Sequence, residues 1–128
     1  MTLRKGHLNN AAFFGVHLAC LGVFWTGVSA PALAVCAALY LLRMFAITAG
    51  YHRYFSHRSY RMGRGMQFLM ALLGASAGQK GPLWWASTHR VHHKHSDTER
   101  DVHSPIRRGF WYSHAGWWLG REHEATDL

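Results

Sequence analysis

Charged residues are missing from one long stretch of this sequence, and acidic residues are scarce throughout. Residues 6–42 contain no Lys, Arg, Asp or Glu, and all six acidic residues follow Ser96. A soluble basic domain with a formal net charge of +8 would distribute its charges along the chain, whereas this chain concentrates them in its second half. The 128 residues therefore form one domain at most, with an apolar half and a basic half.

Cysteine is also rare. Cys20 and Cys36 are the two cysteines, and both fall in the apolar half. A disulfide framework is typical of small, loop-rich secreted chains, and this sequence does not have that character. Both residues are interpreted as small apolar side chains of a hydrophobic segment.

The apolar half is long enough for two membrane crossings. Residues 11–50 are mostly apolar and are broken near TGVSAP, residues 26–31. One helical crossing needs about 20 residues, so the stretch predicts a transmembrane hairpin with Pro31 early in the second helix. A signal peptide would have a shorter apolar core. A buried hairpin of a soluble protein is the alternative, although little chain is left to cover it.

The basic residues flank this hairpin. Arg4 and Lys5 precede it, and eleven of the fourteen Lys and Arg residues follow Gly50. The positive-inside rule then predicts that the N-terminus and the basic half are cytoplasmic. A third apolar stretch, residues 66–77, is too short to cross and is predicted to be an amphipathic helix that is interfacial or packed on the cytoplasmic part.

The predicted fold class is therefore all-α. We expect a membrane protein with a two-helix transmembrane hairpin at about residues 11–50. Cytoplasmic or interfacial helices that carry the histidines would follow over residues 51–128.

Histidine is in excess, with eleven residues in the chain, and two sets stand out. The first set is His52 and His57 in HRYFSH, just past the second predicted crossing. Five residues of regular α-helix turn a side chain roughly 140° away from the starting face. The two imidazoles can therefore share a metal only if the helix ends or bends between them. Otherwise they serve different metals.

The second set is His89, His92 and His93 in HRVHHKHSD. Offsets of three and four place them on one stripe of a helix, where three imidazoles could converge on a metal. The alternative is a protonatable cationic surface. Imidazole suits Zn, Cu, Fe and Ni, so the ligand type leaves the metal open but excludes a thiolate site.

Together the two sets form HxxxxH after a membrane hairpin and HxxHH 32 residues later. In this arrangement the sequence resembles the integral membrane fatty-acid desaturases, close to the acyl-CoA delta-9 branch. The matching segments are TAGYHRYFSHRSY (residues 48–60), AGQKGPLWWASTHRVHHKHSDTERDVHSP (residues 77–105) and RRGFWYSHAGWWLG (residues 107–120).

The resemblance implies a non-haem di-iron centre on the cytoplasmic face, with ligands at His52, His57, His89, His92 and His93. It also implies a reaction in which O₂ and two electrons from a donor protein are used to remove hydrogens from two adjacent carbons of a saturated acyl-CoA chain, leaving a cis double bond. Unactivated C–H bonds are beyond acid–base catalysis, so a metal cofactor must supply this step.

Substrate contacts are suggested at four further positions. Trp85 is a candidate to line an acyl channel, and Arg107, Arg108 and Arg121 are candidates to bind the coenzyme A phosphates. Interface anchoring by tryptophan and attraction of arginine to anionic lipid are the alternatives. The other histidines of the matching segments, His95, His103 and His114, are not expected to be ligands.

The sequence departs from the family pattern because it lacks the third histidine box, again HxxHH. It therefore resembles the N-terminal portion of a desaturase, expected to be inactive alone or to act with a complementary chain that carries the third box. A catalytically dead membrane protein that binds metal or a partner is one alternative, and part of a related membrane di-iron hydroxylase is another. A nucleic-acid partner is not expected, because membrane topology explains the positive charge and no nucleic-acid motif accompanies it.

Overall fold

The computed structural model describes residues 3–120 together with Glu122 and His123, with side chains from Asn10 onward. Within these residues the chain consists of helices joined by turns and has no strand, which confirms the predicted all-α class. The elements in chain order are α1 (Leu3–Cys20), α2 (Val23–Thr26), α3 (Ala30–Phe45), π1 (Ala46–Ser56), α4 (Arg64–Ala75), α5 (Pro82–His95), α6 (Pro105–Trp111), π2 (Tyr112–Gly116) and α7 (Trp117–Leu119). Cys20 and Cys36 are both free thiols, as expected.

The second predicted crossing is one continuous helix formed by α3 and π1. It runs over Ala30–Ser56, 27 residues, and is long and apolar enough to span a bilayer. Its start follows the capping rules, because the Ser29 side chain accepts a hydrogen bond from the Ala32 N–H and Pro31 lies in the first turn. Only 11% of its most apolar window is buried within the described residues, whereas the core helix of a soluble domain is mostly buried.

The first predicted crossing is shorter. The apolar helical stretch Asn10–Thr26 has fewer than 18 residues and is interrupted by a turn at Leu21 and Gly22. Of the two predicted crossings, only the second, Ala30–Ser56, is long enough within the described residues to span a bilayer as one helix. The first crossing and the orientation of the chain in the membrane stay predictions.

The core is built around π1, which packs against both α4 and α5. Tyr51 of π1 is fully buried, and its hydroxyl lies 3.2 Å from the carbonyl oxygens of Ala71 and Lys80. Its ring rests on Gly74 of α4, where an added Cβ would lie 2.7 Å from two ring carbons. This close approach fixes α4 and the start of α5 around the helix that carries His52.

The predicted amphipathic helix at residues 66–77 is confirmed as α4, which ends two residues earlier than expected. Met70 and Gly74 are buried on one side, whereas Phe68 and Leu72 are exposed on the other. The exposed apolar side suits a lipid interface, and its position in a membrane remains a prediction.

Candidate metal centre

His52 and His57 come together because the helix that carries them is a π-helix. His52 lies within π1 and His57 is its C-cap. The His57 N–H donates to the His52 carbonyl oxygen at 3.2 Å, an i→i+5 hydrogen bond. This wider turn brings His57 back over His52, and the two ring centroids lie 4.7 Å apart. The bend that a metal shared by these two histidines would need is therefore supplied by π-helical geometry.

Two histidines of α5 complete a four-imidazole cluster, which we call the four-histidine cluster: His52, His57, His89 and His93. His89 and His93 are one α-helical turn apart, with ring centroids separated by 4.4 Å. The Nε2 atoms of His57 and His89 face each other at 3.2 Å. One nitrogen from each of the four residues lies within 4.8 Å of the other three, which is close enough for all of them to bind a single ion.

His92 does not join this cluster. Its ring centroid is 6.4 Å from that of His89, and its Nδ1 lies 2.8 Å from Asp101 Oδ1. It forms a neighbouring group with Asp101 and His103, in which the possible ligand atoms again lie within 4.8 Å of one another. Four of the five predicted ligands are thus brought together, and the fifth lies in the adjoining group.

Sequence reasoning assigned no role to Asp101 and set His103 aside. A usable signal was present, because metal-ligating histidines usually donate their second ring N–H to a carboxylate. Asp101 lies nine residues after His92, in the turn that follows α5. A search for acidic residues just after the histidine box would have returned Asp97, Glu99 and Asp101, and the fold identifies Asp101 as the partner of His92.

The protonation state of His89 favours metal binding. Burial, together with repulsion from the neighbouring imidazoles, lowers the pKa of His89 to about 3. His89 is therefore neutral at physiological pH, which is the form that ligates a metal. An all-imidazole donor set of this kind fits a divalent transition metal such as iron.

Trp85 lies between the four-histidine cluster and a cavity. Its ring stacks on His89 with a centroid distance of 4.7 Å, and its indole N–H donates to Gln79 Oε1 at 2.9 Å. The cavity has a volume of about 700 Å³, within the usual range for small-molecule sites. Its lining includes the aromatic side chains of Phe13, Trp84, Trp85, Trp117 and Trp118.

The two arginines proposed as phosphate contacts already have partners. Arg107 Nε donates to the Asp97 carbonyl oxygen at 3.0 Å. Arg108 forms an ion pair with Glu122 at 2.8 Å and also donates to the Tyr112 hydroxyl. Both arginines are exposed. Arg121 lies outside the described residues.

The comparisons with known proteins agree with one another. The sequence profile of the Fatty acid desaturase family matches residues 28–126. The chain is 39% identical over 123 residues to an sn-1 stearoyl-lipid 9-desaturase of Anabaena variabilis, covering 94% of this chain and 45% of the relative. It is 42% identical over 124 residues to an acyl-CoA C20 Delta5-desaturase of Anemone leveillei, covering 89% and 39%.

A third relative is a probable acyl-CoA desaturase of Schizosaccharomyces pombe, 37% identical over 102 residues, with 80% of this chain and 21% of the relative covered. The chain thus spans less than half the length of these relatives. No solved structure matches it significantly. The profile match covers more than half of the residues, and the chain belongs to the fatty acid desaturase family.

Proposed function

We propose that this chain is the histidine-box portion of an oxygen-dependent acyl-CoA desaturase with a non-haem di-iron centre. The observation that carries the proposal is the pairing of the four-histidine cluster with a second group around His92, on a chain of the desaturase family. Two adjacent ligand groups support two metal ions better than one.

The four-histidine cluster would hold one iron, and His92 would contribute to the second. When bound, iron would supply the activation of O₂ that breaking unactivated C–H bonds requires. The four-histidine cluster and His92 supply five imidazoles among the described residues, which are too few to saturate two ions, so further ligands from additional polypeptide would complete the centre. A third histidine box, in the same protein or in a complementary chain, would meet this need.

The aromatic cavity is the proposed acyl site. Trp85 belongs both to its lining and to the stack on His89, so a hydrocarbon chain in the cavity would pass close to the metal ligands. Apolar walls suit a saturated acyl chain and exclude water from the reacting carbons. Arg107 and Arg108 are exposed and would meet the coenzyme A phosphates only by exchanging their present partners.

The proposed setting is an integral membrane protein with its N-terminus and histidine boxes on the cytoplasmic side. The exposed apolar surface of Ala30–Ser56 supports the membrane part of this proposal. O₂ would enter from the bilayer or from water, and an electron-donor protein would dock on the cytoplasmic face.

The experiment is to purify the chain in detergent, load it anaerobically with ferrous iron and measure iron per chain. Stearoyl-CoA, palmitoyl-CoA and stearoyl-phospholipid are then offered with O₂ and an electron donor, alone and with a co-expressed segment carrying a third HxxHH box. The proposal expects iron binding by the chain and a cis-unsaturated product from the thioesters when the second segment is present. If only the phospholipid is converted and neither thioester is, the proposed substrate changes from acyl-CoA to an acyl-lipid.

Two outcomes would favour the alternatives. A hydroxylated product would indicate a membrane di-iron hydroxylase. Absence of bound iron and of turnover under every condition would indicate a catalytically dead membrane protein.

A further inference from the structure

Asp101 is the most enclosed acidic side chain among the described residues, and it contacts a predicted metal ligand. Its side chain has no exposed surface, and Oδ1 lies 2.8 Å from Nδ1 of His92. A neutral imidazole in this position donates Nδ1–H to the carboxylate, which leaves its Nε2 lone pair available to a metal. The contact therefore selects one tautomer of His92.

The remaining hydrogen bonds of Asp101 engage both of its carboxylate oxygens. Oδ1 also accepts the backbone N–H of His103 at 3.1 Å, and Oδ2 accepts the backbone N–H of Asp97 at 2.8 Å. Each oxygen thus has at least one hydrogen-bond donor within the protein, so the position of the carboxylate is fixed without a metal ion.

His103 holds the His92 ring from another direction. The two rings are stacked with centroids 4.3 Å apart and an interplanar angle of 20°. The ring of His103 also contacts Trp117 of α7, with centroids 5.0 Å apart. His92 is therefore restrained at its edge by Asp101 and on its face by His103.

The loop that carries Asp101 is held in place by its own hydrogen bonds. Asp97 adopts a left-handed conformation with φ of 59°, which aspartate tolerates better than most residues. Its carboxylate accepts a hydrogen bond from the fully buried Ser104 hydroxyl at 2.8 Å. These contacts close residues 97–104 into a compact support beneath the end of α5.

We propose that Asp101 is a positioning residue, which fixes the tautomer and the ring orientation of His92 so that its Nε2 serves as a metal ligand. The metal part of this proposal rests on the proposed function, whereas the tautomer part concerns the metal-free chain. On this proposal Asp101 acts through His92 and not as a metal ligand itself.

The first test is a nitrogen-15 NMR measurement on the metal-free chain with labelled histidine, using His92→Gln to assign the His92 signals. We expect the Nδ1–H tautomer in the unaltered chain and a mixture of tautomers in Asp101→Asn. Glu99→Gln removes one negative charge from the same loop at an exposed position and should leave the signals unchanged. The proposal would be overturned if the unaltered chain showed a mixture of His92 tautomers. It would also be overturned if Asp101→Asn kept the Nδ1–H tautomer of the unaltered chain.

The second test is a double-mutant cycle on ferrous-iron affinity, measured by anaerobic equilibrium dialysis. Loss of an outer partner of a ligating histidine usually weakens metal binding by about 10- to 100-fold, and we expect this loss in Asp101→Asn. In the His92→Gln background the same substitution should have little further effect, because its route to the metal is gone. An equal loss in both backgrounds would show a direct ligand or a merely structural role and would refute the positioning role.

The two tests separate this inference from the proposed function. If the unaltered chain fails to bind iron, the proposed function is contradicted, and the tautomer measurement still decides whether Asp101 positions His92. Circular dichroism of Asp101→Asn confirms that the variant is folded. If it is not folded, Asp101→Glu, which keeps the charge, takes its place and is expected to retain the tautomer in part.

Discussion

The Nε2 atoms of His57 and His89 lie 3.2 Å apart, although 32 residues separate them in the sequence. This contact joins the end of π1 to the middle of α5. It exists because the π-helical turn places His57 beside His52, and because Tyr51 anchors π1 against α4 and the start of α5. The packing of three helices thus converts two separate histidine motifs into one ligand cluster.

Removal of one member of the four-histidine cluster should weaken metal binding. His57→Gln and His89→Gln each delete an imidazole that no other described side chain of the cluster replaces, so the dissociation constant for ferrous iron should rise by more than about tenfold. His95→Gln is the matched control, because His95 lies on α5 outside both groups of possible ligands. Equilibrium dialysis followed by elemental analysis gives the affinities, and an equal loss in the control would contradict the assignment.

Substitution of Gly74 should disturb the packing that carries π1. In Gly74→Ala the new methyl group would overlap the Tyr51 ring, and overpacking of this kind costs about 1–3 kcal/mol. Gly65→Ala in the same helix meets open space and should be neutral or stabilising by up to about 1 kcal/mol. Thermal unfolding in detergent compares the two, and a Gly74→Ala variant as stable as Gly65→Ala would show that the Tyr51 contact is not tight.

The metal-free chain should lose stability as the pH falls below neutrality. The pKa of His89 is lowered from 6.5 to about 3 by burial and by neighbouring imidazoles. Between these two pH values the imidazole of His89 is protonated in the unfolded chain but neutral in the folded chain. The contribution of His89 to stability is therefore fully present above about pH 6.5 and declines as the pH falls towards 3. Burial lowers the pKa of His103 as well, so His103 also contributes less to stability as the pH falls.

The pH dependence can be assigned by substitution. Midpoints of thermal unfolding measured between about pH 7.5 and pH 5 should fall less steeply in His89→Gln than in the unaltered chain. His95→Gln should keep the original slope. An unchanged slope in His89→Gln would mean that His89 is protonated in the folded chain.

Trp85 should affect the acyl substrate more than the metal. Trp85→Ala removes a ring that lines the cavity and stacks on His89. Removal of a fully buried aromatic side chain from a packed core lowers the free energy of unfolding by about 3–5 kcal/mol. At this half-buried site we expect stearoyl-CoA binding to weaken by about tenfold, or roughly 1.4 kcal/mol. Trp111→Ala, at an exposed tryptophan, is the control. Isothermal titration would contradict the acyl site if both variants bound stearoyl-CoA equally well.

Much of the helical layout was readable from local sequence. Pro31 indicated the start of α3, and the apolar run at residues 66–77 indicated α4, because helix starts and apolar runs depend on nearby residues. The break at Leu21 and Gly22 was not foreseen, since both residues are compatible with an apolar helix. The π-helical turn was also not foreseen, although a metal shared by His52 and His57 would need some departure from α-helix there.

The sequence by itself determined which side chains are available for metal binding, because ligand chemistry belongs to the residue type and the spacing on α5 belongs to its own helix. At roughly 100° per residue, His92 and His93 fall on opposite sides of His89, about 100° apart from each other. Only the tertiary structure decided how that stripe is divided. π1 packs on the side of His89 and His93, whereas the loop that carries Asp101 packs on the side of His92. Partners contributed by distant segments are set by packing, which local spacing does not encode.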